Sequence, residues 1–308
     1  MEHPRYALYD NFRALLLFLV ILGHCCELFY TGTAVKLYRI LYTFHVPALL
    51  FLSGRFAAFD RRRFFRGLLL PYLIFQALYL CFDASVLHAS VFRLQFTKPY
   101  WILWYLLALL VYFLLLPLLP ERSRKSAVLV VALSVVLSVL AGFDRTLSYF
   151  LALSRIVVFA PFFFLGYYAP QLRLPPRYLS LALGLAVACF GVAFFRKIDV
   201  RLLWGSCSYA LCRETWVDRL LLLAVSAGWI LFFLNLLPRR RLPVLTALGR
   251  GTLPVYLLHG FVIRLAKQHH WFRFSPSENL LLAVGLSAAL LLLLGSPPVT
   301  KLFRKAFA

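Results

Sequence analysis

The sequence predicts an all-α, polytopic transmembrane bundle of about ten helices, one membrane domain over residues 1–308 with both termini cytoplasmic. Three observations lead there. The chain is 63% hydrophobic and only 14% charged, far from the balance of a soluble domain. Apolar runs of about 20 residues, the length that crosses a hydrocarbon core, recur from end to end. The 33 Lys and Arg, against 11 Asp and Glu, gather in short clusters between those runs. That is the pattern of loops held by anionic headgroups, and it argues against nucleic acid as the partner of a +22 chain.

The spans fall near residues 11–30, 38–58, 67–87, 101–119, 126–142, 148–169, 178–195, 216–237, 248–265 and 279–296. The first follows Arg5 and Arg13, and its apolar stretch Ala14–Leu22 resembles the core of a signal peptide. It continues into His24 and Glu27 without a small-residue cleavage site, so it is read as a retained helix. The fifth span is short, and the sixth carries Arg155 among apolar neighbours. An even number of spans puts both ends on one side. Loops on that side carry 19 of the 33 Lys and Arg and the opposite loops 13, which makes the termini cytoplasmic.

The longest outward loop, 196–219, contains Arg196, Lys197, Arg201, Arg213 and Arg219 with Trp204, Tyr209 and Trp216. The aromatic residues form either an interfacial belt or a receptor for an acidic or sugar-bearing substrate. The cysteines lack metal-ligand spacing, so no metal site is expected. Cys25, Cys26, Cys81 and Cys189 lie in apolar runs as small hydrophobes, whereas Cys207 and Cys212 look solvent-facing, either bridged or free. No internal repeat and no attached soluble domain are visible.

Ionisable groups inside a span are costly and point to function. The first span holds Asp10 and Arg13 at its cytoplasmic mouth and His24 and Glu27 deeper. Eleven residues advance about 1100°, within about 20° of three full turns, so Arg13 and His24 share a stripe about 16 Å long. Such a stripe faces a bundle interior or a water-filled cavity. The second span has Phe44-His45-Val46-Pro47 near one end and Ser53-Gly54-Arg55 near the other, and Pro47 and Gly54 are also ordinary helix-packing devices. Arg61-Arg62-Arg63-Phe64-Phe65-Arg66 follows, with Arg63 and Arg66 three apart on one helix face, suited to phosphate or simply a basic loop. Gly249 to His259 brings a third histidine into a span, and His24, His45 and His259 together argue for a polar chamber.

These motifs resemble, in order and spacing, the membrane-bound acyltransferase-3 family, and within it the branch of fucose 4-O-acetylases. The resemblance rests on Arg13 and His24 separated by ten residues, on Phe44-His45-Val46-Pro47 with Phe51-Leu52-Ser53-Gly54, and on Arg63-Phe64-Phe65-Arg66 before Pro71-Tyr72. Leu103-Trp104-Tyr105-Leu106 and the block from Gly249 to His259 fall where the family carries related patterns. Arg55 stands where an aromatic residue is usual.

The resemblance implies an integral membrane O-acyltransferase in a bacterial cytoplasmic membrane. It takes acetyl from cytoplasmic acetyl-CoA, a co-substrate rather than a permanently bound cofactor, and gives it to a hydroxyl of a glycan or lipid-linked sugar. His24 is then the base or a transient acyl acceptor, with Arg13, Asp10 and Glu27 as its catalytic companions. Arg62, Arg63, Arg66 and Ser53 fall on the coenzyme A side, and His45, His259 and Trp104 on the acceptor side. Membrane lipids and separate polysaccharide-assembly proteins complete the expected partners. A transporter or flippase of a polar or lipid-linked molecule is the alternative, with a structural subunit of an export complex as a third reading.

Overall fold

The computed structural model of the chain describes residues 4–87, 95–147, 150–171, 176–195 and 198–307. Arg196, Lys197 and the side chain of Cys189, named above, lie outside the described residues. Among the described residues the structure is helical throughout: α1 (Pro4–Cys26), α2 (Gly32–Tyr42), α3 (His45–Arg55), α4 (Arg61–Phe64), α5 (Leu70–Ser85), α6 (Trp104–Leu115), α7 (Arg124–Leu140) and α8 (Leu153–Tyr168). Then follow α9 (Arg177–Phe195), α10 (Val200–Leu203), α11 (Tyr209–Cys212), α12 (Trp216–Leu236), α13 (Pro243–Arg250), α14 (Thr252–Gln268), α15 (Pro276–Leu294) and α16 (Pro297–Phe307).

Among the described residues, seven helical segments are long and apolar enough to cross a membrane: Ala7–Phe29, Gly32–Arg55, Arg61–Ser85, Trp101–Leu118, Phe150–Tyr168, Trp216–Leu236 and Pro276–Leu294. Each overlaps an expected span. The other three expected spans coincide with α7 and α14, of 17 residues each, and with α9, whose described apolar part is Arg177–Val187. A helix of 17 residues reaches about 25 Å, short of a hydrocarbon core of about 30 Å. The chain is therefore a multi-pass helical membrane bundle.

Local chemistry sets the helix boundaries. Thr215 with Asp218 and Ser275 with Glu278 form reciprocal caps that start α12 and α15, satisfying backbone donors that would otherwise point at nothing. Asp60 accepts from the Arg63 amide at 2.6 Å and starts α4, after which a π-helical turn over Phe65–Leu69 carries the chain into α5. The second and ninth expected spans are each broken, at Thr43–Phe44 and at Gly251. Pro47 removes no helical hydrogen bond. It occupies the first turn of α3, where the backbone N–H has no partner in the helix anyway.

Glycine allows the tightest crossing. A Cβ on Gly54 would overlap the Phe163 carbonyl, and one on Gly166 would overlap that of Phe51, so α3 and α8 meet backbone to backbone. Gly249 of α13 lies in the same way against the backbone of Asp10 in α1. Asn11 donates to the Pro238 and Arg240 carbonyls at 3.2 Å each and accepts from Thr246 at 2.6 Å. Thr300 of α16 packs against Gly251. These contacts bring the start of α1, the 238–251 connection and α16 to one end of the bundle, which places both termini on one face.

The opposite end is covered by the segment 198–215. Arg39 donates to the Ile198 carbonyl at 2.5 Å, Ser154 to Gly205 at 2.7 Å and Arg219 to Leu202 at 2.9 Å. Cys207 and Cys212 form a disulfide and are buried, whereas the sequence reading placed them facing solvent. The turn between them is part of this cover, and both side chains turn inward from it. At its rim, hydrogen bonds from Arg201 hold the Asp199 carboxyl below its ordinary range, and partial burial pushes Glu214 up.

Candidate active site

The three histidines predicted to share a chamber do share one. A cavity of about 190 Å³ is lined by His24 and Glu27 of the first span, His45 of α3, Trp104 of α6 and His259 of α14, under Leu203 and Trp204 of the cover. The rings of His24 and His259 stack with centroids 5.6 Å apart, and Trp101 meets His24 edge-on at 4.6 Å. Tyr42 stands against His45 at 4.6 Å. His45 and His259 are buried at 2% and 0% exposure, so what each ring nitrogen does is decided inside the protein.

Backbone carbonyls select the tautomers. His45 Nδ1 donates to the Leu41 carbonyl at 2.5 Å and His259 Nδ1 to that of Val255 at 2.9 Å. A carbonyl only accepts, so Nδ1 carries the proton in both neutral rings and Nε2 carries the lone pair. His259 Nε2 is buried with no hydrogen-bond partner among the described residues.

His24 is held differently, by a carboxylate and two phenols. Its Nδ1 lies 3.2 Å from the Tyr42 hydroxyl and 3.5 Å from Glu27 Oε1. Tyr42 donates its own proton to Glu27 in a short hydrogen bond, which leaves the phenol oxygen free to accept from His24 Nδ1. Tyr38 also donates to Glu27, at 3.3 Å, and takes a hydrogen bond from Trp204 Nε1 at 2.7 Å. The chain of donors from Trp204 through Tyr38, and from His24 through Tyr42, therefore ends on one carboxylate. His24 Nε2 is left as the basic nitrogen, and Glu27 stands ready to stabilise an imidazolium.

The other expected site residues sit at the far end of α1. Asp10 pairs with Arg13 at 3.3 Å and with Arg250 at 3.4 Å, about 21 Å along the helix from His24. Arg13 stacks on Phe56 at 4.5 Å and feels the charge of Arg63. Arg63 lies over Phe113 at 5.9 Å, and Arg62 and Arg66 are exposed beside it. Arg55, at the position where the family motif is aromatic, stacks on Tyr9 and Phe56 at this mouth and does not line the chamber. Ser53 bonds the Tyr105 hydroxyl at 2.9 Å. Tyr105 lines the chamber, and its hydroxyl meets Ser53 on the side towards the mouth.

Sequence reasoning did not select Tyr42, Tyr38, Trp101, Tyr105 or Tyr256 for the site. Tyrosine and tryptophan are common at membrane interfaces, so their type carried no signal. A helical count would have found Tyr38 and Tyr42, four residues apart on α2 and facing Glu27. Of the aromatic residues in the outward loop, Trp204 lines the chamber, Tyr209 is buried against Gly142, and Trp216 is exposed at the start of α12, as a belt residue would be.

A family model described as an acyltransferase domain matches residues 6–297, nearly the whole chain. No curated protein and no solved structure matches. With that coverage, and with the motif residues in their family order from Arg13 to His259, the chain belongs to the acyltransferase-3 family.

Proposed function

We propose that this protein moves an acetyl group from cytoplasmic acetyl-CoA to a hydroxyl of an exported or cell-surface glycan, in the manner of the fucose 4-O-acetylase branch, within a bacterial cytoplasmic membrane. The observation that carries this reading is the His24–Glu27 pair, with Nδ1 of His24 engaged and the ring lining the chamber. In a family of membrane acyltransferases that arrangement is a general base with an orienting acid.

His24 Nε2 takes the proton of the acceptor hydroxyl as its oxygen attacks the thioester carbonyl. The C–S bond breaks and the coenzyme A thiolate leaves. Glu27 and Tyr42 hold Nδ1–H while the imidazolium exists. In the two-step form of the same chemistry, Nε2 attacks the thioester carbonyl and the thiolate leaves; the acceptor oxygen then attacks the acetyl carbon, the bond to Nε2 breaks, and Nε2 takes up the hydroxyl proton. Arg62, Arg63 and Arg66 suit the phosphates of coenzyme A at the basic mouth, and the donor's arm would run past Ser53 and Tyr105 to His24. Asp10 and Arg13 shape that mouth. His45, His259 and Trp104 receive the acceptor.

Orientation is supported from both faces. The basic loops accompany the termini, and the disulfide lies at the other end, where an oxidising compartment would keep it formed. Polysaccharide-assembly proteins would deliver the acceptor.

The test is purified protein in nanodiscs with labelled acetyl-CoA, assayed for binding and for thioester consumption with free or lipid-linked sugars. Wild type binds and reacts, His24→Ala binds without reacting, and Arg63→Ala binds weakly. Counterflow of a solute without thioester cleavage would replace this reading with transport.

A further inference from the structure

The proton chemistry above leaves one chamber cation unused. Arg155 sits in the first turn of α8 and lines the chamber, with its guanidinium over the Trp104 ring at 5.1 Å. Ionisable groups at this depth in a span mark function more often than packing. The backbone makes a special approach to deliver it. Leu151 and Ala152, immediately before α8, hold φ of 47° and 53°, a left-handed conformation that residues with a Cβ rarely adopt. Such outliers cluster at binding sites, where the surrounding structure maintains them.

The charge of the surroundings points the same way. Among the described residues, the chamber end carries ten Lys and Arg against Asp83, Asp144, Asp199, Glu214, Asp218 and Glu278. Cytoplasmic retention explains basic loops at the other face, and it offers no reason for an excess here. A basic rim raises the local concentration of an anion. A guanidinium stacked on an indole is held in one plane, and its N–H edge suits a carboxylate or a phosphate on a sugar.

We infer that the acceptor is a saccharide carrying an anionic substituent, a carboxylate or a phosphate, and that Arg155 is the residue that selects it. This deepens the acetyl-transfer reading and rests on it for the turnover measurement alone. Full-length protein in nanodiscs is assayed with acetyl-CoA and matched acceptors: neutral glycosides, the glycosides of glucuronate, galacturonate and N-acetylneuraminate, and sugar phosphates. Tryptophan fluorescence titration of the same sugars without donor reads binding alone.

Anionic sugars are expected to bind at least about tenfold tighter than neutral ones in low salt, and the uronate and phosphate arms separate the two sources of charge. Arg155→Gln removes that preference and raises KM for the anionic acceptor, with kcat and the KM for acetyl-CoA held. Arg155→Lys restores part of it. Equal binding of neutral and anionic sugars by wild type, no binding across the panel, or equal losses for both classes in Arg155→Gln would each overturn the inference. Charge-selective binding without any thioester consumption would leave it standing while the acetyl-transfer reading falls.

Discussion

The two ends of the first helix handle charge in opposite ways. At the mouth, Asp10 is matched by Arg13 and Arg250 at 3.3 and 3.4 Å, in a partly solvated cluster backed by phenyl rings. In the chamber, Glu27 is surrounded by tyrosines and a histidine, and among the described lining residues the one arginine is Arg155. A mouth of paired surface charges attracts and releases a charged ligand at little cost, because water screens it. A chamber of neutral donors around one carboxylate fixes tautomers and leaves lone pairs aimed inward, which is what proton transfer needs. On the proposed function, the difference would separate donor binding from chemistry along one helix, about 16 Å apart between Arg13 and His24.

Substitutions break that contrast from either side. Glu27→Gln keeps the shape of the chamber and removes the charge that stabilises an imidazolium. Steady-state kinetics should show kcat down by on the order of 10², with the KM for acetyl-CoA unchanged. A raised KM with normal kcat would move Glu27 from chemistry to binding. Tyr42→Phe deletes one hydrogen bond to a charged group and the contact with His24 Nδ1, and the expected fall in kcat is about tenfold.

The mouth answers in the other parameter. Arg63→Ala should raise the KM for acetyl-CoA by a few-fold up to about tenfold with kcat retained, since exposed phosphate contacts stabilise ground and transition states alike. Raised salt should have the same effect on wild type. The smallest change is expected for Asp10→Asn. Its ion pairs are partly exposed, so thermal unfolding in detergent should register a loss of below about 1 kcal/mol. A loss several times larger would show that the mouth holds the fold together as well as binding the donor.

Much of this was legible in the chain. Apolar run length and clustered Lys and Arg located the helices because a bilayer imposes one length and one sign rule on every span. His24, Glu27, His45, His259 and Trp104 were picked out, and they meet in one cavity. The partners that complete the site were not visible. Tyr42 and Tyr38 matter through a hydrogen bond to Glu27 across the turn between α1 and α2, and a tyrosine in a membrane sequence has several ordinary uses. Arg155 was noticed as a blemish in an apolar run, and its role depends on which side of α8 faces inward. The expectation of solvent-facing Cys207 and Cys212 failed for a related reason: composition locates a loop outside the span but does not say whether it folds back over the bundle.

By itself, then, the amino-acid sequence determined the solvent of this protein, the approximate number of its helices and the residue types of its chemistry, because these follow from local hydrophobicity, spacing and side-chain pKa. Only the tertiary structure decided that Asp10 serves the mouth and Glu27 the chamber, that His45 and His259 present Nε2, and that Trp204 covers the cavity. Each of those depends on a contact between residues far apart in the chain. Packing selects such contacts from many that the same residue types would permit.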